Sequence, residues 1–537
     1  MCGIAGTWSS ESPAGGDART TSESTSGEGD DDPASSPDRD VRVDVARLDV
    51  VDEMLDRLVH RGPDATGVHV ANGTATLGHR RLSIVDLTGG DQPLVHPDAA
   101  LVGNGEIYNA PELRAELAGE REHATRSDNE VILHLIAAHG PAAVHRLRGM
   151  YAFALALDGE LLLGRDPLGI KPLYTGSLDD DLVFASELRS FPTGTTDVSA
   201  VAPGTIWSTR TGEHRYYDVP DPDPIDADVH HHALRVRAAL ETAVERRLMA
   251  DVPVGAFLSG GIDSSAIVAL LRKHVDELHT FSVGLAGSPD LAAARAVADH
   301  LGTIHHERVL DPDEISAALP EIVAALESYD QDLVRSAVPT WFTAELAAEH
   351  VKVVMTGEGA DELFAGYRYH KDLVTDDEIH ADARRSLSEL HHVNLQRVDR
   401  LTMAHSLEAR VPFLDIDLVE TALAIPPALR RPESRSSAAA GGRAREKRVL
   451  RLAVDDLLPH DIVWRDKAQF DEGSGTADLL PVLTADVAPA AATERYRADN
   501  HDAALRSAEE CHYHQLLLDG VEAPDVVLPN VARWADR

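Results

Sequence analysis

The chain of 537 residues holds only two cysteines, Cys2 and Cys511. That excludes a disulfide framework and a thiolate zinc set. Lysine is scarce: the 50 basic residues include only Lys171, Lys273, Lys352, Lys371, Lys447 and Lys467 as lysines. Aromatic residues make up 4%. No apolar run approaches the ~20 residues that span a bilayer. The first residues lack the basic and apolar regions of a secretion signal, so the expected location is cytoplasmic. Positive charge is short overall. Acidic residues number 90 against 50 basic ones, a formal net charge of −40. Such a surface repels nucleic acid and anionic membranes, and neither is expected as a partner. It suits a protein kept soluble in concentrated salt, where screening shortens self-repulsion to a few ångströms. A halophilic source is one reading, and acidic drift is the other.

The stretch from Asp251 to Lys273 organises the second half. Val252, Val254, Ala256 and Leu258 alternate as a half-buried strand does. Gly260 and Gly261 permit a sharp turn. Asp263, Ser264 and Ser265 open a helix whose apolar face carries Ile267, Leu270 and Leu271. A strand, a Gly/Ser turn and a helix N-terminus make an anion site, and phosphate or pyrophosphate is its natural ligand. The Lys-Ser/Thr pair of a Walker A loop is missing, and so is GxGxxG. The string SGGIDSS, Ser259 to Ser265, instead resembles the PP-loop of ATP pyrophosphatases, which split ATP between the α and β phosphates. An ordinary strand-to-helix turn is the alternative.

At the other end, Cys2 becomes the terminal residue if Met1 is removed. Its thiol is then a nucleophile, and its α-amine, with an ordinary pKa near ~8, a general base. Ser9 to Asp40 contains no Val, Ile, Leu, Met or aromatic residue and reads as a flexible acidic insertion. Val41 to Leu58 has helical periodicity, and Ser127 to Glu130 reads as an N-cap box before a helix. MCGI at the start, RGPD (from Arg61), RLSIVD (from Arg81), NGEIYN (from Asn104), Ser127-Asp128 and GRDPLGIKPLY (from Gly164) occur in order. Together they resemble the glutaminase domain of class II, N-terminal-nucleophile glutamine amidotransferases. The resemblance implies that Cys2 attacks the glutamine carboxamide. It implies that Arg81 holds the substrate carboxylate, with Leu82, Ser83, Ile84 and Val85 alongside. Glu106 and Asp128 would take the substrate ammonium, and Asn104 with the Gly105 N–H would form the oxyanion hole. A helix cap at Asp128 and a surface pair at Arg81 remain the structural alternatives.

Asp218 to His232 is rich in proline and acid and reads as a linker. Its His triplet lacks the flanking ligand spacing of a metal site. Beyond it, strands and helices alternate, which implies a parallel sheet with ligands at the carboxyl ends of its strands. Met355 to Glu362 falls at such an end, as a Mg²⁺-ATP site or a glycine turn before a capped helix. SGGIDSS, FSVGLAGSPD, HLGTIHHE, TGEGADELFAGY, SLEARVPFLD and WRDKAQF follow in order, and this half resembles the asparagine synthetase family. By that resemblance Ser259, Gly260, Gly261, Asp263, Ser264 and Ser265 bind the ATP phosphates. Leu258 and Val283 flank the adenosine, near the Thr356-Gly357 backbone. Asp263 and Asp361 hold Mg²⁺, Glu358 acts in the ammonia attack, and Lys447 neutralises phosphate charge. Lys447 follows a Ser/Ala/Gly-rich loop and is expected to order only with ATP.

The expected architecture is therefore two domains, α+β and α/β. Residues 1–215 form an αββα glutaminase sandwich with the acidic insertion at 9–40. A linker covers 216–232, and residues 233–537 form a parallel-sheet PP-loop domain. The expected reaction is ATP-dependent amidation of aspartate with glutamine-derived ammonia, through β-aspartyl-AMP, with glutamine, aspartate and ATP as small-molecule partners and a homodimer as the family expectation. One alternative is an amidotransferase with another carboxylate acceptor. Others are a plain glutaminase and a non-catalytic glutamine-sensing or storage protein. The residues after Gly475 give no reading, and Cys511 is taken as structural.

Overall fold

The computed structural model describes residues 2–10, 19–20, 42–43, 45–119, 122–431, 446–466, 470–487, 490–531 and 533–534. Most of the acidic insertion at 9–40 and part of WRDKAQF (467–469) lie outside them.

The first half is built on two six-stranded antiparallel sheets. Strand Cys2–Trp8 is central in one, between Asp181–Ala185 and Ala75–Arg81. Strand Ala99–Ile107 pairs with Gly149–Leu157 in the other. Ile4, Leu77, Val102, Ala152 and Leu161 fill the space between the sheets. Alternation explains this layer, because inward positions of both sheets are small or aliphatic. Helix Val45–Asp56 covers the first sheet through Val51, Met54 and Leu55, which cluster with Ala5. Helices Ala110–Leu117 and Glu130–His139 cover the second. The expected αββα layering is present.

The N-cap box is not. Helix Glu130–His139 begins after Asn129 without a side-chain cap. Asp128 instead turns inward, where its Oδ2 accepts from the Ile107 N–H at 2.6 Å. A buried amide took the carboxylate that the sequence pattern offered to the helix end.

The presumed linker is shorter than 216–232. Asp228 caps helix Val229–Arg246, its side chain accepting from the His231 N–H at 2.9 Å. The His triplet is therefore helical, and His232 is buried.

The second half carries a five-stranded parallel sheet in the order Ile304–Leu310, His279–Leu285, Val254–Phe257, Val353–Met355, Glu408–Arg410. The last strand was not anticipated, since a Glu-Ala-Arg segment has no strand-like alternation of apolar residues. Helix Gln331–Ala348 is capped by Asp330 and packs beside the sheet. Beyond Gly475, helices Thr476–Val487 and Ala508–Gly520 complete the core through Leu480, Tyr513 and Leu517. Cys511 is buried there as a free thiol.

Among the described residues, no helix is long and apolar enough to cross a membrane.

Candidate active site

Cys2 begins its strand opposite Arg81. Its N–H donates to Asn104 Oδ1 at 3.0 Å, and its carbonyl accepts from Arg61 Nε at 3.1 Å. Burial pushes the thiol pKa up, opposed by the positive chain terminus and a hydrogen bond from the Leu82 N–H. With Oδ1 so engaged, the Asn104 Nδ2 group is buried and has no acceptor. An orphaned buried donor is costly to keep, and here it lies on the residue that Cys2 binds. Gly105 stands at φ +145°, where an added Cβ would meet the Met150 carbonyl at 2.0 Å. That position admits only glycine and fixes the peptide next to Asn104.

Glu106 and Asp128 are buried together. Burial, then Asp128 and Glu408, raises the Glu106 pKa, while burial pushes Asp128 up to about 6. Glu106 Oε2 accepts no hydrogen bond, and its nearest cation is Arg410 Nη2 at 3.7 Å. Two buried acids this short of positive charge are suited to take a cationic group. Arg81 is less available than expected. Its Nη1 donates to Asp91 at 2.7 Å and its Nη2 to the Asp86 carbonyl at 2.6 Å. Of these partners Asp91 is exposed and is the one a substrate carboxylate could replace. Leu82 and Ile84 are buried beside it. Ser83 donates its N–H to Asp64, and the Val85 carbonyl accepts from Arg81 Nη2 at 3.4 Å.

The second site is a cavity of about 290 Å³ at the carboxyl ends of the parallel strands. Leu258, Ser259, Gly261, Asp263, Ser264 and Val283 line one side; Thr356, Gly357, Glu358 and Asp361 line the other. The PP-loop holds itself open: Ser264 Oγ accepts from the Ser259 N–H at 3.2 Å, and Ser259 Oγ from the Gly261 N–H at 3.3 Å. Gly260 and Ser265 do not face the cavity. Gly260 has φ +71°, and a Cβ there would strike Ala293 at 2.5 Å, so its glycine serves helix packing. Ser265 is fully buried.

Lys447 corrects the expectation of a residue fixed only by ATP. It is buried at φ +57°, with Nζ 2.6 Å from Asp263 Oδ2 and 2.8 Å from Asp361 Oδ1. Two carboxylates from distant motifs thus converge on one cation beneath the cavity. Asp263 Oδ1 is left buried without a hydrogen bond. Hard oxygen donors converging in this way fit Mg²⁺, which binds through one or two carboxylates plus phosphate oxygens.

Sequence reasoning missed the partner of Glu358. Arg397, itself buried, pairs with Glu358 through Nη2 and lines the cavity with Asn394. Its Nε has no hydrogen-bond partner. No local signal marks it, because its helix, Asn394–Met403, buries polar and apolar residues alike.

The two sites meet at one strand. The Arg410 carbonyl accepts from the Thr356 N–H at 2.9 Å, at the mouth of the cavity. The Arg410 guanidinium points the other way, to Glu408 at 2.6 Å and Glu106 at 3.7 Å.

The asparagine synthase family model matches residues 235–382 and 373–514, and the glutamine amidotransferase domain model matches 40–203. Asparagine synthetase 2 (glutamine-hydrolyzing) of Oryza sativa subsp. japonica is 39% identical over 454 residues, 81% of this chain and 76% of that protein. The chain belongs to the glutamine-hydrolysing asparagine synthetase family. Asparagine synthetase 3 of Arabidopsis thaliana is 40% identical, over 79% of this chain and 75% of its own. The probable asparagine synthetase of Schizosaccharomyces pombe is 39% identical over 78% and 80%. Among solved structures, a glutamine phosphoribosylpyrophosphate amidotransferase from B. subtilis aligns at 21% identity and TM-score 0.31, covering 52% of this chain and 65% of that one. Family membership accounts for both sites lying on one chain.

Proposed function

We propose that this protein makes L-asparagine from L-aspartate, using ATP and the amide nitrogen of L-glutamine. One observation carries the reading. A family member of this kind holds a cysteine beside an orphaned amide donor, and a nucleotide crevice whose strand also touches that cysteine's acidic neighbours.

With Met1 removed, the Cys2 amine takes the thiol proton, and Sγ attacks the glutamine carboxamide. Asn104 Nδ2 and the Gly105 N–H stabilise the oxyanion. The amine returns the proton to the leaving ammonia, and water then releases glutamate from the thioester. Glu106 and Asp128 hold the substrate ammonium, and Arg81 takes its carboxylate in place of Asp91. In the crevice, the aspartate β-carboxylate attacks the α-phosphorus of ATP, giving β-aspartyl-AMP and pyrophosphate. Asp263 and Asp361 would hold Mg²⁺, which neutralises phosphate charge when bound. Lys447 adds a fixed positive charge beneath the same phosphates. Glu358, positioned by Arg397, accepts the proton that ammonia loses on attacking the acyl carbon. Asparagine and AMP leave. Because ammonia is lost to water if released, it must travel inside the protein between the sites.

The acid excess supports work in concentrated salt. The assay therefore uses high salt, with ATP, Mg²⁺, glutamine and aspartate, and follows asparagine and pyrophosphate together. Equal yields of the two are expected. Glutamate release without aspartate-dependent pyrophosphate would point to a different carboxylate acceptor.

A pH dependence follows from Asp128. Its carboxyl, raised to about 6 by burial, is ionised above that pH and protonates below it. An ammonium needs the ionised form. KM for glutamine should therefore rise about tenfold per unit as pH falls below about 6. A KM that stays flat between about pH 8 and about pH 5 would contradict the ammonium role.

A further inference from the structure

Among the described residues, two groups of three metal-ligating side chains converge. In one, His96 and His134 face Glu130 at 3.3 and 3.2 Å. That carboxylate already accepts from the Ala124 N–H, the Thr125 N–H and Thr125 Oγ1 at 2.7 to 2.9 Å. It is a fully used hub that ties down the preceding loop.

The other group is different. His279 opens strand His279–Leu285, and Phe281, two residues on, lies on the same face of the sheet. In the neighbouring strand, His306 pairs with Phe281. His350 follows helix Gln331–Ala348, its N–H returning to the Ala347 carbonyl. The three rings gather over Phe281, with centroids 5.1 to 6.5 Å from its own. His279 and His306 lie within 6° of parallel, and His279 Nδ1 is 2.9 Å from His306 Nε2. His350 stacks on His306 at 3.9 Å. One nitrogen from each ring lies within 4.8 Å of the others. His305, which faces the other way, shows the contrast: its two nitrogens meet the Thr280 and Ser282 hydroxyls.

We propose that His279, His306 and His350 bind one divalent transition-metal cation that prefers imidazole, of the zinc, cobalt or nickel class. A tetrahedral ion with bonds of about 2.0–2.1 Å separates its ligand nitrogens by about 3.3 Å. The His279–His306 spacing of 2.9 Å is slightly under that value, and one nitrogen of each of the three rings lies within 4.8 Å of the others. Two facing imidazole nitrogens must share a proton, and a cation replaces it. The remaining adjustment falls on His350, which is exposed and swings off the His306 face. Mg²⁺ prefers oxygen ligands and does not compete. The bound ion ties two strands to the end of the helix that, at Asp332, Leu333 and Ser336, lines the nucleotide cavity.

The test titrates the full-length protein with Co²⁺ in excess Mg²⁺ and follows the visible bands of tetrahedral cobalt, with the thermal midpoint as a second readout. One equivalent per chain should bind and raise the midpoint. His350→Gln changes an exposed residue, so folding is kept, and affinity should fall more than about tenfold. His230→Gln/His231→Gln, in the exposed part of the other histidine tract, should leave binding unchanged. Absence of tetrahedral bands, binding unaltered in His350→Gln, or binding lost in the His230/His231 variant would each overturn the assignment.

Discussion

Cys2→Ala lowers asparagine formation from glutamine by about 10³-fold or more and leaves formation from ammonium salts near the level of the unaltered protein. The reason is geometric. The Cys2 strand belongs to the antiparallel half, whereas every residue lining the nucleotide cavity comes from Phe257 onward. Removing the thiol deletes the nucleophile without touching that crevice. Alanine fills the position without strain, and the N–H that donates to Asn104 is kept. The measurement compares asparagine made from glutamine with asparagine made from ammonium at saturating aspartate and ATP. Equal loss from both nitrogen sources would mean that Cys2 supports the fold rather than the glutamine chemistry.

Lys447→Met has two effects of opposite dependence on magnesium. Nζ is the cation between Asp263 and Asp361. Its removal leaves two carboxylates facing one another, each less than a quarter exposed. Breaking a buried ion pair by deleting one partner costs about 3 kcal/mol, and the thermal midpoint should drop in magnesium-free buffer. Mg²⁺ should recover part of that loss, since it answers the same two carboxylates. Catalysis does not recover, because the charge beneath the phosphates is still missing. Aspartate-dependent pyrophosphate release should stay about 10²–10³-fold low. If magnesium leaves the midpoint of the variant where it is, the two aspartates are not its ligands.

The sequence revealed residues whose chemistry sits inside a contiguous string. Cys2, Asn104, Gly105 and the PP-loop are of this kind, because a turn or strand end brings neighbours in sequence to one place. Lys447 was named for its charge, but its surroundings were misjudged. A Ser/Ala/Gly-rich stretch predicts mobility, whereas the two carboxylates that fix Lys447 come from motifs far upstream. Arg397, and the partners of Arg410 within SLEARVPFLD, stayed hidden for a related reason. Both arginines are buried, the meaning of each lies in a carboxylate on another element, Glu358 or Glu106, and periodicity carries no information about such pairs. The strand Glu408–Arg410 shows the limit most clearly. Two of its three residues are charged and all three are buried, so no hydropathy pattern announces it. Gly260 takes the turn the sequence called for, at φ +71°, and its missing side chain also leaves room for Ala293.

The seam between the halves has a consequence for inheritance. Arg61, fully buried, pairs with Glu187 of its own half and with Asp399 of the other. Arg400, equally buried, answers from the second half with Glu327 and with the Ser186 carbonyl of the first. A change at Asp399 leaves Arg61 with Glu187 alone, at a cost of up to about 3 kcal/mol unless its opposite number changes too. Neither half can drift alone at these positions. The two halves are two modules by architecture, held to one another by buried charge.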